Sequence, residues 1–355
     1  MQRRKILKAG TVFFGSPLAA PMAGPLSASV ALSLGGNCFI ANAHAAAARK
    51  ERWVSPSSIT PLQCYVAVAK EKGYFEAEGL DISIQATPGT ASAITQLAAG
   101  GAMFAQGAAI TTVPAIANRG AEIITVGQVI YRSVFELTSP ADKPIRPGDS
   151  LAGKTIGLMS VGGSTDQLLD AMAAASNTDP KSIKRVVTGL SAGAYAFLQR
   201  GQVDAFFSYY PVRIALEAQG VPLHYLNTDD VAPIPPDSII VSRTAMNSEA
   251  DRAAIVSYLR GCAKGMRFLL DSTNYDEAVS ILAKYNPVEA QDKALARKKF
   301  EFVATLAKRP EGVPFMHCDD KAWASGVATM EKIGMIKPGA RPLSDYYTND
   351  LAKRI

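Results

Sequence analysis

A regular alternation of short β-rich runs and amphipathic helical runs begins at Trp53 and continues to Asn247. This pattern is typical of an α/β fold with mostly parallel sheets, because each helix carries the chain back across the sheet before the next parallel strand. The predicted strands are residues 80–85, 103–105, 123–129, 155–158, 185–187, 205–208 and 223–226. The predicted helices are residues 62–72, 91–99, 110–119, 164–175, 192–199 and 212–219, followed by a helical C-terminal part.

Two compact lobes are predicted, because the alternation is interrupted and then restarts. A segment rich in proline and glycine, residues 140–153, marks the break, and 355 residues are enough for two hydrophobic cores. The predicted limits are residues 46–137 and 242–355 for lobe 1 and residues 138–241 for lobe 2. Strands at 135–138 and 238–242 are predicted to be the hinges between the lobes.

The first 45 residues resemble a bacterial twin-arginine export signal. Arg3 and Arg4 precede a long, weakly hydrophobic stretch, and Ala-x-Ala cleavage sites follow at Ala43 and Ala45. The alternative is an uncleaved membrane anchor, which prolines within the stretch disfavour: Pro17, Pro21 and Pro25. We therefore predict a signal peptide at residues 1–45 and a periplasmic location.

The charge and the reactive residues exclude several classes of function. Removing the four basic residues of the signal lowers the formal charge from +6 to +2, which gives no electrostatic support for nucleic-acid binding. The cysteines left after cleavage, Cys64, Cys262 and Cys318, lack C-x-x-C spacing and are predicted to be buried free thiols, with a disulfide as the alternative. His224 and His317 are far apart in sequence, so a metal site or a histidine-based catalytic triad has little material.

Three segments resemble one family of transport proteins. Residues 66–82 combine a helix, Gly73, an aromatic pair, a second glycine turn and a strand; residues 151–157 open the second lobe; and residues 201–205 follow its second helix. In this order, over residues 53–245, they resemble the nitrate/sulfonate/bicarbonate and thiamine-pyrimidine-precursor group of ABC transporter substrate-binding proteins. The family often has an acidic residue where this chain has Met103, whereas Asp204 keeps it in the second lobe.

The resemblance implies a type II periplasmic-binding-protein fold, with two α/β lobes joined by two hinge strands. It also implies that a small molecule is held in the cleft between the lobes and delivered to the permease of an ABC importer. We expect a working monomer that binds no nucleic acid, needs no cofactor and catalyses no reaction. The alternatives are a biosynthetic enzyme of the same fold, of the pyrimidine-precursor or menaquinone type, and a component that presents its ligand to a sensor.

The predicted ligand-binding residues lie in polar or small loops at the carboxyl ends of the predicted strands, where parallel sheets bind ligands. They are Ser57, Ser58, Gln63, Gln106, Gly107, Tyr131, Gly163, Ser164, Thr165, Ser208 and Tyr209. At residues 162–165 a helix N-terminus would accept an electron-rich group, although a purely structural cap is the alternative. A sulfonate, a carboxylate and a pyrimidine-like ligand all remain open.

Overall fold

The computed structural model describes residues 47–189 and 191–355. The predicted signal lies outside the described residues. Within these residues, none of the helices has both the length and the apolar character needed to cross a membrane.

Ten strands in the described residues form two five-stranded sheets. The first has the order β2-β1-β3-β10-β4 and the second the order β7-β6-β8-β5-β9. The strands are β1 (Arg49–Ser55), β2 (Leu80–Ala86), β3 (Phe104–Ala108), β4 (Ile123–Gln128), β5 (Phe135–Pro140), β6 (Thr155–Leu158), β7 (Lys184–Val187), β8 (Ala205–Tyr209), β9 (Leu223–Asn227) and β10 (Asp237–Ser242).

Helices pack around the two sheets and continue to the C-terminus, as the sequence predicts. They are α1 (Cys64–Glu71), α2 (Thr90–Ala98), α3 (Ala109–Arg119), α4 (Ser164–Ala175), α5 (Ala194–Gln199), α6 (Tyr210–Ala218), α7 (Glu249–Leu270), α8 (Tyr275–Tyr285), α9 (Pro287–Ala290), α10 (Lys293–Leu306) and α11 (Asp320–Lys332). The alternating elements and the two-lobed α/β fold are thereby confirmed.

The expectation of mostly parallel sheets is confirmed for four strands of each sheet, and one antiparallel strand makes each sheet mixed. Strand β10 runs antiparallel to β3 and β4, and β5 runs antiparallel to β8 and β9. These two strands are the ones that the chain enters directly after passing from one sheet to the other. The chain therefore enters each sheet at the edge where the neighbouring strands end, so the strand it forms there is antiparallel to them.

Strand β1 was not predicted. Its first four residues, 49–52, are all charged, and just its last three residues are fully buried. A run of charges hides the alternation on which the sequence argument depends, whereas the buried end supplies Trp53 to the core. Pairing with β2 and β3 on both sides fixes this segment as a strand.

Aromatic packing joins the first sheet to the helices that cover one of its faces. Tyr258 of α7 stacks on Phe104 of β3, with ring centroids 3.9 Å apart, and on Phe75 at 5.2 Å. Trp53 meets Tyr65 of α1 edge to face at 6.4 Å. This face of the sheet is thereby buried under α1 and α7.

The two crossings between the sheets lie at residues 129–134 and 228–236. The predicted hinge segment 135–138 falls within β5 of the second sheet, and 238–242 falls within β10 of the first. The limits of the two lobes, including the return of the C-terminal part to lobe 1, remain predictions.

Candidate functional site

In each sheet the parallel strands end at the same edge. Both crossings join this edge of the first sheet to the corresponding edge of the second. The first crossing joins the end of β4 at Gln128 to the start of β5 at Phe135, which pairs with the last residue of β8, Tyr209. The second joins the end of β9 at Asn227 to the start of β10 at Asp237, beside the end of β3. Ligands of α/β sheets bind beyond such carboxyl ends, so the candidate site lies between these two edges.

Helix α6, which follows β8 of the second sheet, contacts the loop before α1 and helix α10. The Tyr210 hydroxyl lies 3.0 Å from Thr60 Oγ1 and accepts a hydrogen bond from the Leu62 backbone N–H at 3.3 Å. Its ring stacks on Phe302, with centroids 5.9 Å apart, and the Arg213 guanidinium lies 5.1 Å from the same ring. These contacts form one wall of the site.

The loop before α1 carries three of the predicted binding residues, which differ in what they contact. Gln63 is buried, and its Oε1 accepts hydrogen bonds from the Thr60 backbone N–H at 3.2 Å and the Thr60 hydroxyl at 2.6 Å. Ser57 and Ser58 are exposed, and the Ser57 hydroxyl donates to the Ser58 carbonyl. Gln63 therefore shapes the loop, and the two serines remain open to solvent.

Gly107 serves close packing at the end of β3. A Cβ at this position would lie 2.8 Å from Thr90 Cγ2 and 3.1 Å from Thr112 Cγ2 and Ile240 Cδ1. Such separations leave no room for a side chain. The glycine thus lets α2 and α3 approach the strand end.

Tyr131 holds the first crossing in place. Its hydroxyl lies 2.9 Å from the carbonyl oxygen of His317, to which it donates, and 3.3 Å from that of Gln128. Burial raises the pKa of this phenol, so it remains a neutral hydrogen-bond donor at physiological pH. The segment before α11 is thereby tied to the crossing.

The turn before α4 is built by residues that the sequence singles out. Gly162 has a φ of +75°, whereas Gly163, the N-cap residue, has an extended backbone with a φ of −89°. The buried Thr165 hydroxyl accepts a hydrogen bond from the Met159 backbone N–H at 3.0 Å. Ser164, the first helical residue, is half-buried. Of the Ser164 and Thr165 hydroxyls, the one on Thr165 therefore makes a hydrogen bond within the turn.

Ser208 and Tyr209 end strand β8 in different surroundings. Ser208 is fully buried, and its hydroxyl lies 2.6 Å from that of Thr138 on β5, so it links two strands. Tyr209 is half-buried and meets Tyr210 edge to face at 6.0 Å. Burial raises the pKa of Tyr209 above its usual value. The Tyr209 ring is placed to line the site, whereas the buried Ser208 hydroxyl stabilises the pairing of β8 with β5.

A group of polar residues beside Gln106 was not predicted from the sequence. Gln106 of β3 pairs with Ile239 of β10, and Asp237 lies two residues before Ile239, so both polar side chains are on one face of the sheet. This is the face covered by α1 and α7, which contribute Tyr65 and Tyr258. Burial raises the pKa of Tyr65, and the Cys262 thiol and the Asp237 charge add to this rise.

We call Trp53, Tyr65, Gln106, Asp237 and Tyr258 the Asp237 cluster. The Trp53 Nε1, the Tyr65 and Tyr258 hydroxyls and both polar atoms of the Gln106 amide are buried without a hydrogen-bond partner among the described residues. Leaving one such group unpaired costs about 1–3 kcal/mol, so several together call for a physical cause. In sequence, the aromatic members are indistinguishable from ordinary core residues.

Asp237 is the charged member of this cluster. Burial raises its pKa to about 6, although the residue keeps limited exposure. The nearby Gln106 amide opposes this rise, but its atoms do not reach hydrogen-bond geometry. Asp237 is therefore largely an uncompensated carboxylate at neutral pH, at the edge where β10 begins.

A surface cavity of about 900 Å³ lies at the opposite edge of the first sheet, away from the crossings. Arg49 lies in it and pairs with Glu51 at 2.7 Å and Asp251 at 2.5 Å, while its Nη2 lies 3.7 Å from Met103 Sδ. Met103 thus adjoins a self-contained ion-pair network at the start of the strands. The departure from the family at this position lies far from the candidate site.

Cys64, Cys262 and Cys318 are buried free thiols, as predicted. Burial raises the pKa of each thiol well above its usual value, which suppresses the thiolate form. These side chains are therefore packing groups and poor nucleophiles.

Comparisons with known proteins agree with this architecture. The chain is 23% identical over 274 residues to the formylaminopyrimidine-binding protein of Halalkalibacterium halodurans, covering 75% of this chain and 80% of that protein. The periplasmic aliphatic sulphonate-binding protein SsuA of Escherichia coli superimposes with a TM-score of 0.63 at 16% identity, covering 84% of this chain and 91% of that one. The desulfurization enzyme DSZB superimposes with a TM-score of 0.53 at 15% identity, covering 86% and 98%.

The fold is therefore that of the periplasmic binding proteins. The family described as NMT1/THI5 like matches residues 62–274, more than half of the chain. The chain belongs to this family.

Proposed function

We propose that this protein is the extracytoplasmic substrate-binding component of an ABC-type importer. It captures a small organic molecule between the two sheet edges and delivers it to a membrane permease. The observation that carries the proposal is the arrangement of the two crossings, which join facing strand ends and allow the lobes to close on a ligand. The named relatives bind a formylaminopyrimidine and aliphatic sulphonates, which supports the same role here.

Catalysis is disfavoured by the state of the reactive side chains. Burial suppresses ionisation of the three thiols. His317 Nδ1 lies 3.1 Å from the Phe315 carbonyl oxygen, and His224 Nε2 is buried without a partner among the described residues. These groups form no nucleophile–base pair, so they do not support the enzymatic alternative. The enzyme DSZB shows only that a protein of similar fold can be catalytic.

Export and monomeric action belong to the same proposal. The twin-arginine signal would deliver the folded chain to the periplasm, where the signal is removed. A single copy would dock on the permease with both lobes free to move.

Ligand binding is expected to close the lobes and to stabilise the protein. A ligand at 100 times its Kd should raise the free energy of unfolding by about 2.7 kcal/mol, because it binds the folded state alone. Small-angle scattering should show a smaller radius of gyration under the same conditions. A saturating ligand that shifts the melting temperature but leaves the radius unchanged would contradict closure, and an obligate dimer covering the cleft would contradict the proposed working form.

A further inference from the structure

In the described chain, Asp237 has no lysine or arginine paired with its carboxylate, whereas two other buried acidic residues each have one. Glu136 is buried in the second sheet, and Arg213 Nη1 lies 2.6 Å from its Oε1. Asp166 is paired with Arg185 at 2.7 Å. Asp237 takes part in none of the ion pairs formed by the described residues, and burial is the main cause that raises its pKa.

A buried carboxylate without a counter-charge is unfavourable and is retained where it has a task. The Asp237 carboxylate can only accept hydrogen bonds, and Gln106 beside it offers both a donor and an acceptor that are unused. The Tyr65 hydroxyl is also unused, and the Tyr258 hydroxyl, which has the Cys262 thiol beside it, makes no hydrogen bond among the described residues. The ligand group that pairs with Asp237 must therefore supply N–H donors. It can carry a hydrogen-bond acceptor next to them, because the Gln106 amide also offers a donor.

The position of Asp237 gives such a partner a route. It begins β10, directly after the second crossing and opposite Ala108 at the end of β3. It is the member of the cluster that keeps some exposure, while the others are fully buried. A ligand group that enters between the sheet edges thus meets the carboxylate first.

We propose that the Asp237 cluster is the polar end of the ligand site and selects a ligand bearing a nitrogen group that donates hydrogen bonds, such as an amine, an amidine or an amino-substituted ring. This inference rests on the proposed binding function and narrows its ligand. An anionic sulfonate or carboxylate head-group is repelled by Asp237 and cannot occupy this end of the site.

Three probes of similar size test this selectivity by calorimetry at pH 7.5: 4-aminopyrimidine, benzamidine and benzenesulfonate. We expect at least one of the two nitrogen probes to bind at least tenfold more tightly than benzenesulfonate. The Asp237→Asn variant should lose at least tenfold in affinity for that probe, without weaker binding of benzenesulfonate. Tyr65→Phe, which keeps the ring and removes an unpaired hydroxyl, should also weaken the nitrogen probe and keeps the test valid if Asp237→Asn fails to fold.

Asp251→Asn is the matched control. Asp251 is a carboxylate that pairs with Arg49 at 2.5 Å at the opposite edge of the first sheet, outside the cluster and away from both crossings. Its affinity for each probe should equal that of the wild type.

The possible outcomes distinguish the ligand preference of the Asp237 cluster from the binding function itself. Tighter binding of benzenesulfonate than of both nitrogen probes would overturn the assignment of the cluster while leaving the binding function intact. Unchanged nitrogen-probe affinity in a folded Asp237→Asn or Tyr65→Phe variant would assign the cluster to internal water and would also overturn it. Failure of all three probes, together with a purified protein that carries no small molecule, would contradict the binding function itself.

Discussion

The Asp237→Asn variant is expected to be more stable than the wild type at pH 7, by up to about 3 kcal/mol in the free energy of unfolding. Burial raises the pKa of this carboxyl from 3.8 to about 6, so the folded protein holds its proton more strongly than the unfolded chain does. The wild type is therefore destabilised above pH 6, where the buried group is charged, and this cost is relieved as the pH falls towards 4. Asparagine removes the ionisation and with it the cost.

The measurement is chemical denaturation of both proteins at several pH values. The stability difference should be largest above pH 6 and should shrink between pH 6 and pH 4. A gain that is equal at pH 7 and pH 4.5, or a loss of stability at pH 7, would show that the ionisation of Asp237 is not its source. If the gain comes with the loss of nitrogen-probe affinity, Asp237 is retained for binding at the expense of stability.

Two substitutions at the start of α4, Thr165→Val and Ser164→Ala, should affect different properties: the first should lower the stability of the fold and the second the affinity for the ligand. Valine keeps the shape of Thr165 but leaves the part-buried Met159 N–H without its acceptor, which should lower the free energy of unfolding by about 0.5–1.5 kcal/mol. Among the described residues Ser164 makes no side-chain hydrogen bond to the turn, so Ser164→Ala should leave stability nearly unchanged. If its hydroxyl faces the ligand, affinity should fall by about 0.5–1.5 kcal/mol.

Both variants require denaturation curves and ligand titrations with the same preparation. A Ser164→Ala protein that loses about 1 kcal/mol of stability and binds normally would show that this serine acts as a structural cap. A Thr165→Val protein as stable as the wild type would contradict the role given to the Met159 hydrogen bond.

Much of the fold could be predicted from the sequence, because hydrophobic periodicity is a local property. Strand 155–158 and helix 164–175 coincide with β6 and α4, and the other predicted elements of residues 62–226 differ slightly at their ends. The mixed sheets could not be predicted in this way. The direction of β5 and β10 depends on which sheet edge the chain enters after each crossing, which is a long-range property.

The candidate site was less accessible to sequence reasoning. A hydroxyl in a loop can serve a ligand or its own backbone, and sequence does not distinguish the two: Thr165 and Ser208 both make internal hydrogen bonds. Asp237 was missed because it is an acidic residue directly before an apolar strand, where a solvated position is the usual expectation. Its importance depends on the absence of a nearby cation in the described structure, which the sequence cannot show.

The most direct test of the binding function is native mass spectrometry of the protein purified without dialysis and then incubated with 4-aminopyrimidine, benzoate or benzenesulfonate. We expect one small organic molecule per chain, retained from the cell or supplied as a probe, and released when the protein unfolds. Spectra that show the bare chain alone, both as purified and with every probe, would contradict the account.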